Sequence, residues 1–457
     1  MTSVPADRPR VPRQRTGAGA TGTGDAAGVD RTTRVPALHR PLASYYLVLA
    51  STAALLVLGL VMVFSASSVR SYAVTGSSYS MAMKQAIYIA LGLPAMWFAS
   101  RMPIRFWRML GYPLLLAALF LLVLVLVPGV GLHVDGGTRW IPLPGNFNLQ
   151  PSEIAKLALL LWGADLLVRK RKLLHDWKHL FVPLLPVTTV ICALIMLEPD
   201  MGTTLATLSV VVALLWVVGT PARYFGAFVG VLISLATLLA VIEPYRVARL
   251  TSFLHPFNDA QGGGYQAVQG LYALSSGGWF GLGLGASREK WAGGLPNAHT
   301  DFIFAIIGEE LGLLGTLTVL LLFATLTYAG VRVAKRSTDP FARLAASGVT
   351  AWLSVQAVIN MGAVVGLVPI TGIPLPLVSF GGSAMVSTLF AVGLLLSLAR
   401  LEPGAPQALA ARPRLLLGRF LPGPAGGTGP RGRTPSRGPS GTPPRAGSRS
   451  GSRATGR

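Results

Sequence analysis

Met109-Leu-Gly-Tyr-Pro-Leu-Leu-Leu-Ala-Ala-Leu-Phe-Leu-Leu-Val-Leu-Val-Leu-Val127 carries no charged side chain and stops at Pro128-Gly129. A helix needs about 20 mostly apolar residues to cross the hydrocarbon of a bilayer. With no water there, the backbone must satisfy its own polar groups, which a single helix does. Just before the run stand Arg101, Arg105 and Arg108, the cationic flank of a cytoplasmic loop. This segment sets both the fold class and the direction of the chain.

Comparable runs lie at 45–64, 82–99, 153–168, 180–197, 202–219, 223–242, 302–330, 344–367 and 383–399. With 109–127 they predict an all-α polytopic membrane protein of about ten transmembrane helices, with a large connection between helices 7 and 8. The fourth run is short and begins with Glu153 and Lys156, which predicts a place among other helices. Glu198-Pro199-Asp200 separates the fifth run from the sixth, and Gly219-Thr220-Pro221 the sixth from the seventh.

Composition agrees. Of 457 residues, 52% are hydrophobic and 12% charged, about half the charge density of an average soluble domain. An ordinary soluble enzyme is excluded. The net charge is nevertheless +22, so grease and charge must be segregated. Residues 1–42 hold seven Arg and three Asp, and 401–457 hold ten Arg and one Glu, so the ends carry +13 of the total. Both lack apolar residues and read as disordered tails flanking a 43–400 membrane domain. Their arginines have no interleaved aromatics, which points to anionic headgroups and not to nucleic acid. The long polar start is also unlike a secretory signal peptide. A lone Cys192 excludes a disulfide scaffold, and six scattered His suggest no metal cluster.

Ten spans put both termini on one side. Short alternate loops carry Arg101, Arg105 and Arg108; Arg169, Lys170, Arg171, Lys172 and Lys178; Arg223; and Arg332, Lys335, Arg336 and Arg343. By the positive-inside rule both tails are cytoplasmic. The opposite side carries Arg70, Lys84, Arg139, Lys156, Arg246, Arg249, Arg288 and Lys290, with ten acids: Asp135, Glu153, Glu198, Asp200, Glu243, Asp259, Glu289, Asp301, Glu309 and Glu310. Titratable chemistry belongs on that outer side.

Two outer connections are long, 128–152 and 243–301, and loops of such length are functional or disordered. Their Trp, Tyr, Phe and Gly content predicts ordered caps, partly sunk in the membrane. The run Gly281-Leu-Gly-Leu-Gly285 follows no strand and lacks the third-glycine spacing of a dinucleotide fingerprint. No Walker lysine motif is present either. A substrate used outside must therefore arrive already activated.

Asp301, in Leu295-Pro-Asn-Ala-His299-Thr-Asp301-Phe-Ile-Phe, stands at the outer entrance of the eighth span. It reads either as a carboxylate satisfying helix N-terminal amides or as a general base for an acceptor hydroxyl. Glu309 and Glu310 lie about 12 Å deeper by helical rise and read as a buried pair supporting the site. Glu153 and Lys156 share one helix face, as a plain ion pair or as a pair meeting a phosphate. Asp200 reads as an N-cap or a cavity acid. Arg139, Arg246, Arg249, Arg288 and Lys290 meet either lipid headgroups or, together, a pyrophosphate.

The chain resembles the SEDS family (shape, elongation, division and sporulation). The resemblance rests on Gly137-Thr-Arg-Trp-Ile-Pro-Leu143, Gln150-Pro-Ser-Glu-Ile-Ala-Lys156, Glu198-Pro-Asp-Met-Gly202 and Ala298-His-Thr-Asp-Phe-Ile-Phe-Ala-Ile-Ile-Gly-Glu-Glu-Leu-Gly312. Asn360 to Pro376 and Ser379-Phe-Gly-Gly-Ser383 complete the set, in family order over about 43–400. The stretch 273–299 is most similar to the cell-division member of the family; Ala292-Gly293-Gly294 departs from the pattern and leaves the Asp301 motif intact.

The resemblance implies a peptidoglycan glycosyltransferase that polymerises lipid II, a disaccharide-pentapeptide on undecaprenyl pyrophosphate, during septal wall synthesis in a bacterial plasma membrane. It implies Asp301 as catalytic residue, with Glu153, Lys156 and Asp200 in or beside a central cavity. Arg139, Arg288, Lys290 and His299 are the further candidates for substrate contact. A divalent cation (Mg or Mn), a class B penicillin-binding protein and other divisome proteins are implied by the resemblance alone. Two other readings suit ten spans with buried acids: a lipid II flippase and a non-catalytic division scaffold. No two-fold repeat is evident and the acids gather on one side instead of the midplane, which weighs against transport.

Overall fold

The computed structural model describes residues 42–134, 137–144, 147–173, 178, 181–242, 253–291 and 293–410. The protein is a helical, multi-span membrane protein. Its helices are α1 (Ala43–Thr75), α2 (Ser80–Arg101), α3 (Ile104–Val125), α4 (Pro151–Arg169), α5 (Leu184–Leu197), α6 (Met201–Val218), α7 (Ala222–Ile242), α8 (Tyr265–Ser276), α9 (Ile303–Arg336), α10 (Pro340–Val364), α11 (Gly382–Ala399) and α12 (Ala405–Ala410). All ten predicted spans are found, as α1–α7 and α9–α11. Six of them (α1, α3, α6, α9, α10 and α11) are each long and apolar enough to cross a bilayer. Leu116, Phe120 and Trp216 are exposed, as lipid-facing side chains are.

Prolines and glycines end the helices where the sequence places them. Pro103 precedes α3, Gly219 closes α6 in the left-handed region, and Asp339 caps α10 by accepting from Phe341 N and Ala342 N at 2.8 and 3.0 Å. Helix α4 is buried on nearly every side, as its charged start foretold. It lies among α3, α5, α6, α10 and α11. At its far end Asp165 joins Arg108 at 2.9 Å and Arg169 at 2.6 Å.

Three features exceed the sequence reading. Helix α1 continues past residue 64 to Thr75, because Ser65, Ala66, Ser67 and Ser71 are buried against neighbours. Their polarity had masked the helix. The 128–152 connection forms a small antiparallel sheet, β1 (Leu132–Val134), β2 (Gly137–Leu143) and β3 (Phe147–Leu149), in that order. Ile141 pairs with Leu149 and Leu143 with Phe147. The chain also stays packed beyond residue 400: Ala405 is buried and Glu402 meets Arg336 at 3.4 Å. Residues 1–41 and 411–457, the bulk of both tails, lie outside the described residues, as do Asp135, Glu243, Arg246 and Arg249.

The glycine run acquires a packing reason. Helix α9 kinks at Gly312 (φ 67°, ψ −162°), which frees carbonyls from the helical ladder. Leu282 N donates to Glu309 O at 2.9 Å and Gly283 N to Glu310 O at 3.0 Å. A Cβ at Gly281 (φ +79°) would stand 2.1 Å from Glu310 O. We expect Gly281→Ala to lower stability by at least the about 1–3 kcal/mol of such backbone strain, read as a lower Tm in detergent; an unchanged Tm would mean the loop is not docked on α9.

Candidate functional site

At the end of the bundle that holds both long connections lies a cavity of about 1240 Å³. Its walls come from α1, α2, the sheet, the 196–201 turn, the segment before α9, and the 368–374 and 380–384 segments. Asp301, Glu153, Asp200, Arg139 and His299 all line it. Residues up to 162 positions apart in sequence (Arg139 and Asp301) thus meet at one space.

Asp301 precedes α9 by two residues. Its backbone is held from both sides. Asn360 Nδ2 donates to Asp301 O at 2.7 Å and to Ile373 O at 2.8 Å. Ser379 Oγ donates to Thr300 O, and Phe380 N to His299 O at 3.0 Å. The Thr300 hydroxyl lies 2.8 Å from Asp301 Oδ1. Two stretches that marked the family, 360–376 and 379–383, therefore serve to fix the segment bearing Asp301. His299 packs on Phe380 with ring centres 5.7 Å apart. Burial, helped by the charge of Arg70, pulls the His299 imidazole down to about 4, so it is neutral at pH 7.

Glu153 begins α4. It accepts from Lys156 Nζ at 2.8 Å and from Ser387 Oγ at 3.1 Å. Lys156 is 1% exposed, lies 4.7 Å from the Trp352 ring centre and reaches Gln356 Oε1 at 3.4 Å. Glu153 faces the cavity while Lys156 stands behind it, out of reach of a phosphate. The ammonium sits over the Trp352 ring and is held there by Glu153 and Gln356. Asp200 is the N-cap of α6, accepting from Thr203 N at 2.9 Å, Thr203 Oγ1 at 2.8 Å and Gln150 Nε2 at 3.3 Å.

Three expected cations do not arrive free at the cavity. Arg139 lines it, but its guanidinium is anchored to backbone, Nε donating to Glu198 O at 3.1 Å and Nη2 to Pro199 O at 2.6 Å. Lys290 is buried, bonded to Gly285 O at 2.6 Å and Glu310 Oε1 at 3.3 Å. Arg288 is exposed and stands outside the cavity lining; its backbone N donates to Glu309 Oε1 at 2.7 Å. The deep acids explain this. Glu310 also lies 2.6 Å from Ser65 Oγ, and Glu309 2.5 Å from Ser287 Oγ. Two buried carboxylates on α9 have drawn the 287–290 loop inward. Arg70 lines the cavity instead. The sequence put Arg70 on the outer side but did not single it out for the site, because its helix turn is polar and read as a loop.

Glu198 is fully buried, and neither carboxyl oxygen has a hydrogen-bond partner among the described residues. Burial, reinforced by Asp200 and opposed by Arg139, pushes it up from 4.5 to about 8. Between those values the unfolded chain releases this proton while the folded one keeps it, so stability falls as pH rises through the window. We expect Glu198→Gln to flatten that part of the Tm–pH curve; an identical slope would place the carboxyl in water. Among the described residues no three His, Cys, Asp or Glu side chains converge to hold a metal ion.

Comparison with known proteins adds to this geometry. Residues 46–403 match the FtsW/RodA/SpoVE cell cycle protein family. The chain is 44% identical over 374 residues to the probable peptidoglycan glycosyltransferase FtsW of Mycobacterium tuberculosis, covering 82% of this chain and 71% of the relative. It is 40% identical over 351 residues to the stage V sporulation protein E of Bacillus subtilis, covering 76% and 95%. Among solved structures, it resembles a chain from work on structural coordination of polymerization and crosslinking by a peptidoglycan synthase complex. There the TM-score is 0.63 at 29% identity, over 77% and 96% of the chains. The Thermus thermophilus rod shape determining protein RodA gives a TM-score of 0.57 at 29% identity, over 79% and 97%.

Proposed function

The chain belongs to the FtsW/RodA/SpoVE family, and we propose from that premise that it is an FtsW-like peptidoglycan glycosyltransferase using lipid II. The observation that carries the reading is Asp301, rigidly mounted at the wall of one large cavity that also holds Arg70. The cavity end faces the outside of the plasma membrane, and both termini face the cytoplasm, by the loop-charge asymmetry. Division at the septum is the setting favoured by the FtsW relatives.

The chemistry follows from the groups present. An acceptor sugar hydroxyl attacks the donor's anomeric carbon. Asp301 takes the hydroxyl proton as the new C–O bond forms. The old anomeric C–O bond breaks and its electron pair leaves with the lipid pyrophosphate, with inversion at carbon. Glu153 and Asp200 line the same cavity, and Lys156 holds Glu153 in place. Among the described residues no three His, Cys, Asp or Glu side chains form a cage for a divalent ion; Mg asks for one or two carboxylates plus substrate phosphates. A class B penicillin-binding protein is the proposed partner, supported by the likeness to the synthase complex. Purified protein with such a partner should convert lipid II into glycan strands on a gel. Transfer of lipid II between leaflets without polymer would favour a flippase, and neither activity would favour a scaffold.

A further inference from the structure

We propose that Arg70, at the far end of α1, is the guanidinium that receives the donor's pyrophosphate, with Asn297 as its guide. The proposal rests on the glycosyltransferase reading and names the contact that reading requires. The leaving pyrophosphate carries the largest charge in the reaction, and oriented cations in a shaped site stabilise it best. Three of the cations expected from sequence to meet it are occupied: Lys156 by Glu153, Lys290 by Glu310, Arg139 by two carbonyls. Arg288 lies off the cavity.

Arg70 is neither buried nor anchored by short bonds in this way. It lines the same cavity as Asp301, is exposed, and forms no ion pair among the described residues. Among the described residues its side chain makes one hydrogen bond, a long one from Nη1 to Asn297 Oδ1 at 3.4 Å, which orients the fork and leaves donors over. Asn297 lies four residues before Asp301, so the same short segment positions both the base and the cation. The charge of Arg70 is also felt at His299, which stays neutral and adds no cation of its own. A planar guanidinium gives a diphosphate paired hydrogen bonds that an ammonium does not.

The test uses the full-length chain in neutral-lipid nanodiscs, with Asp301→Asn throughout so that binding is read without turnover. The probe is undecaprenyl pyrophosphate, with phosphatidylglycerol as the headgroup control. Arg70→Ala should weaken undecaprenyl pyrophosphate binding by about 10- to 100-fold, the range for losing a charged hydrogen-bond partner. Arg70→Lys should restore part of it, and it serves alone if the alanine variant does not fold. Unchanged binding in both variants would overturn the proposal, as would equal competition by phosphatidylglycerol. Failure of the glycosyltransferase reading looks different: the parent with Asp301 intact would make no glycan, while pyrophosphate binding still depended on Arg70.

Discussion

Asp301→Asn should cut glycan polymerisation from lipid II by about 10²-fold or more, the lower end for losing a general base, with Tm unchanged. The amide fills the same space and accepts the same Thr300 contact at Oδ1. The segment is held through its backbone, by Asn360, Ser379 and Phe380, so the variant keeps its mounting. What it loses is basicity. An amide cannot take the acceptor hydroxyl's proton at neutral pH. Strand synthesis by gel, at saturating lipid II with the partner synthase present, reads the effect. Polymer made at the parent rate by the variant would refute Asp301 as the base.

Lys156→Met should be the most destabilising of the substitutions considered, costing about 3–5 kcal/mol, the usual result of stripping one partner from a buried ion pair. Glu153 would keep Ser387 at 3.1 Å but lose the one cation it meets among the described residues. Gln356 would lose a donor that ties α4 to α10. Adding Glu153→Gln to Lys156→Met removes the stranded charge, so the double variant should recover most of the loss. Thermal unfolding of the two single variants and the double one measures the coupling. Additive losses would show the two side chains to be independent, contrary to their 2.8 Å separation. Activity should follow stability in the Lys156 variant, because its ammonium stands behind the cavity wall, whereas Glu153 faces the cavity.

The membrane class, the ten spans and the place of α4 were legible in the chain, because a bilayer admits few backbone solutions and long apolar runs announce them. The Asp301 segment was legible too, as a carboxylate at a helix entrance inside a long ordered connection. The pairing of Glu153 with Lys156 follows from helical spacing alone. Charge totals misled in one respect. Outer-side cations read as a collective phosphate site, yet Lys156 and Lys290 answer acids of the protein itself and Arg139 is bonded to two of its carbonyls. Lys290 answers Glu310 because a buried carboxylate without a partner is costly, and no local pattern says which cation will answer it.

What the sequence by itself determined is the set of spans, their likeness to a family and a candidate carboxylate, Asp301, at a helix entrance. Local runs and short motifs carry that information. Only the tertiary structure decided that Arg70 reaches the cavity, that Lys290 and Arg288 do not, and that the glycine run docks on a kinked helix. Those outcomes depend on which buried charge and which freed carbonyl lie nearest in space, across separations of up to 245 residues between Ser65 and Glu310. Distance along the chain does not encode that proximity; packing does.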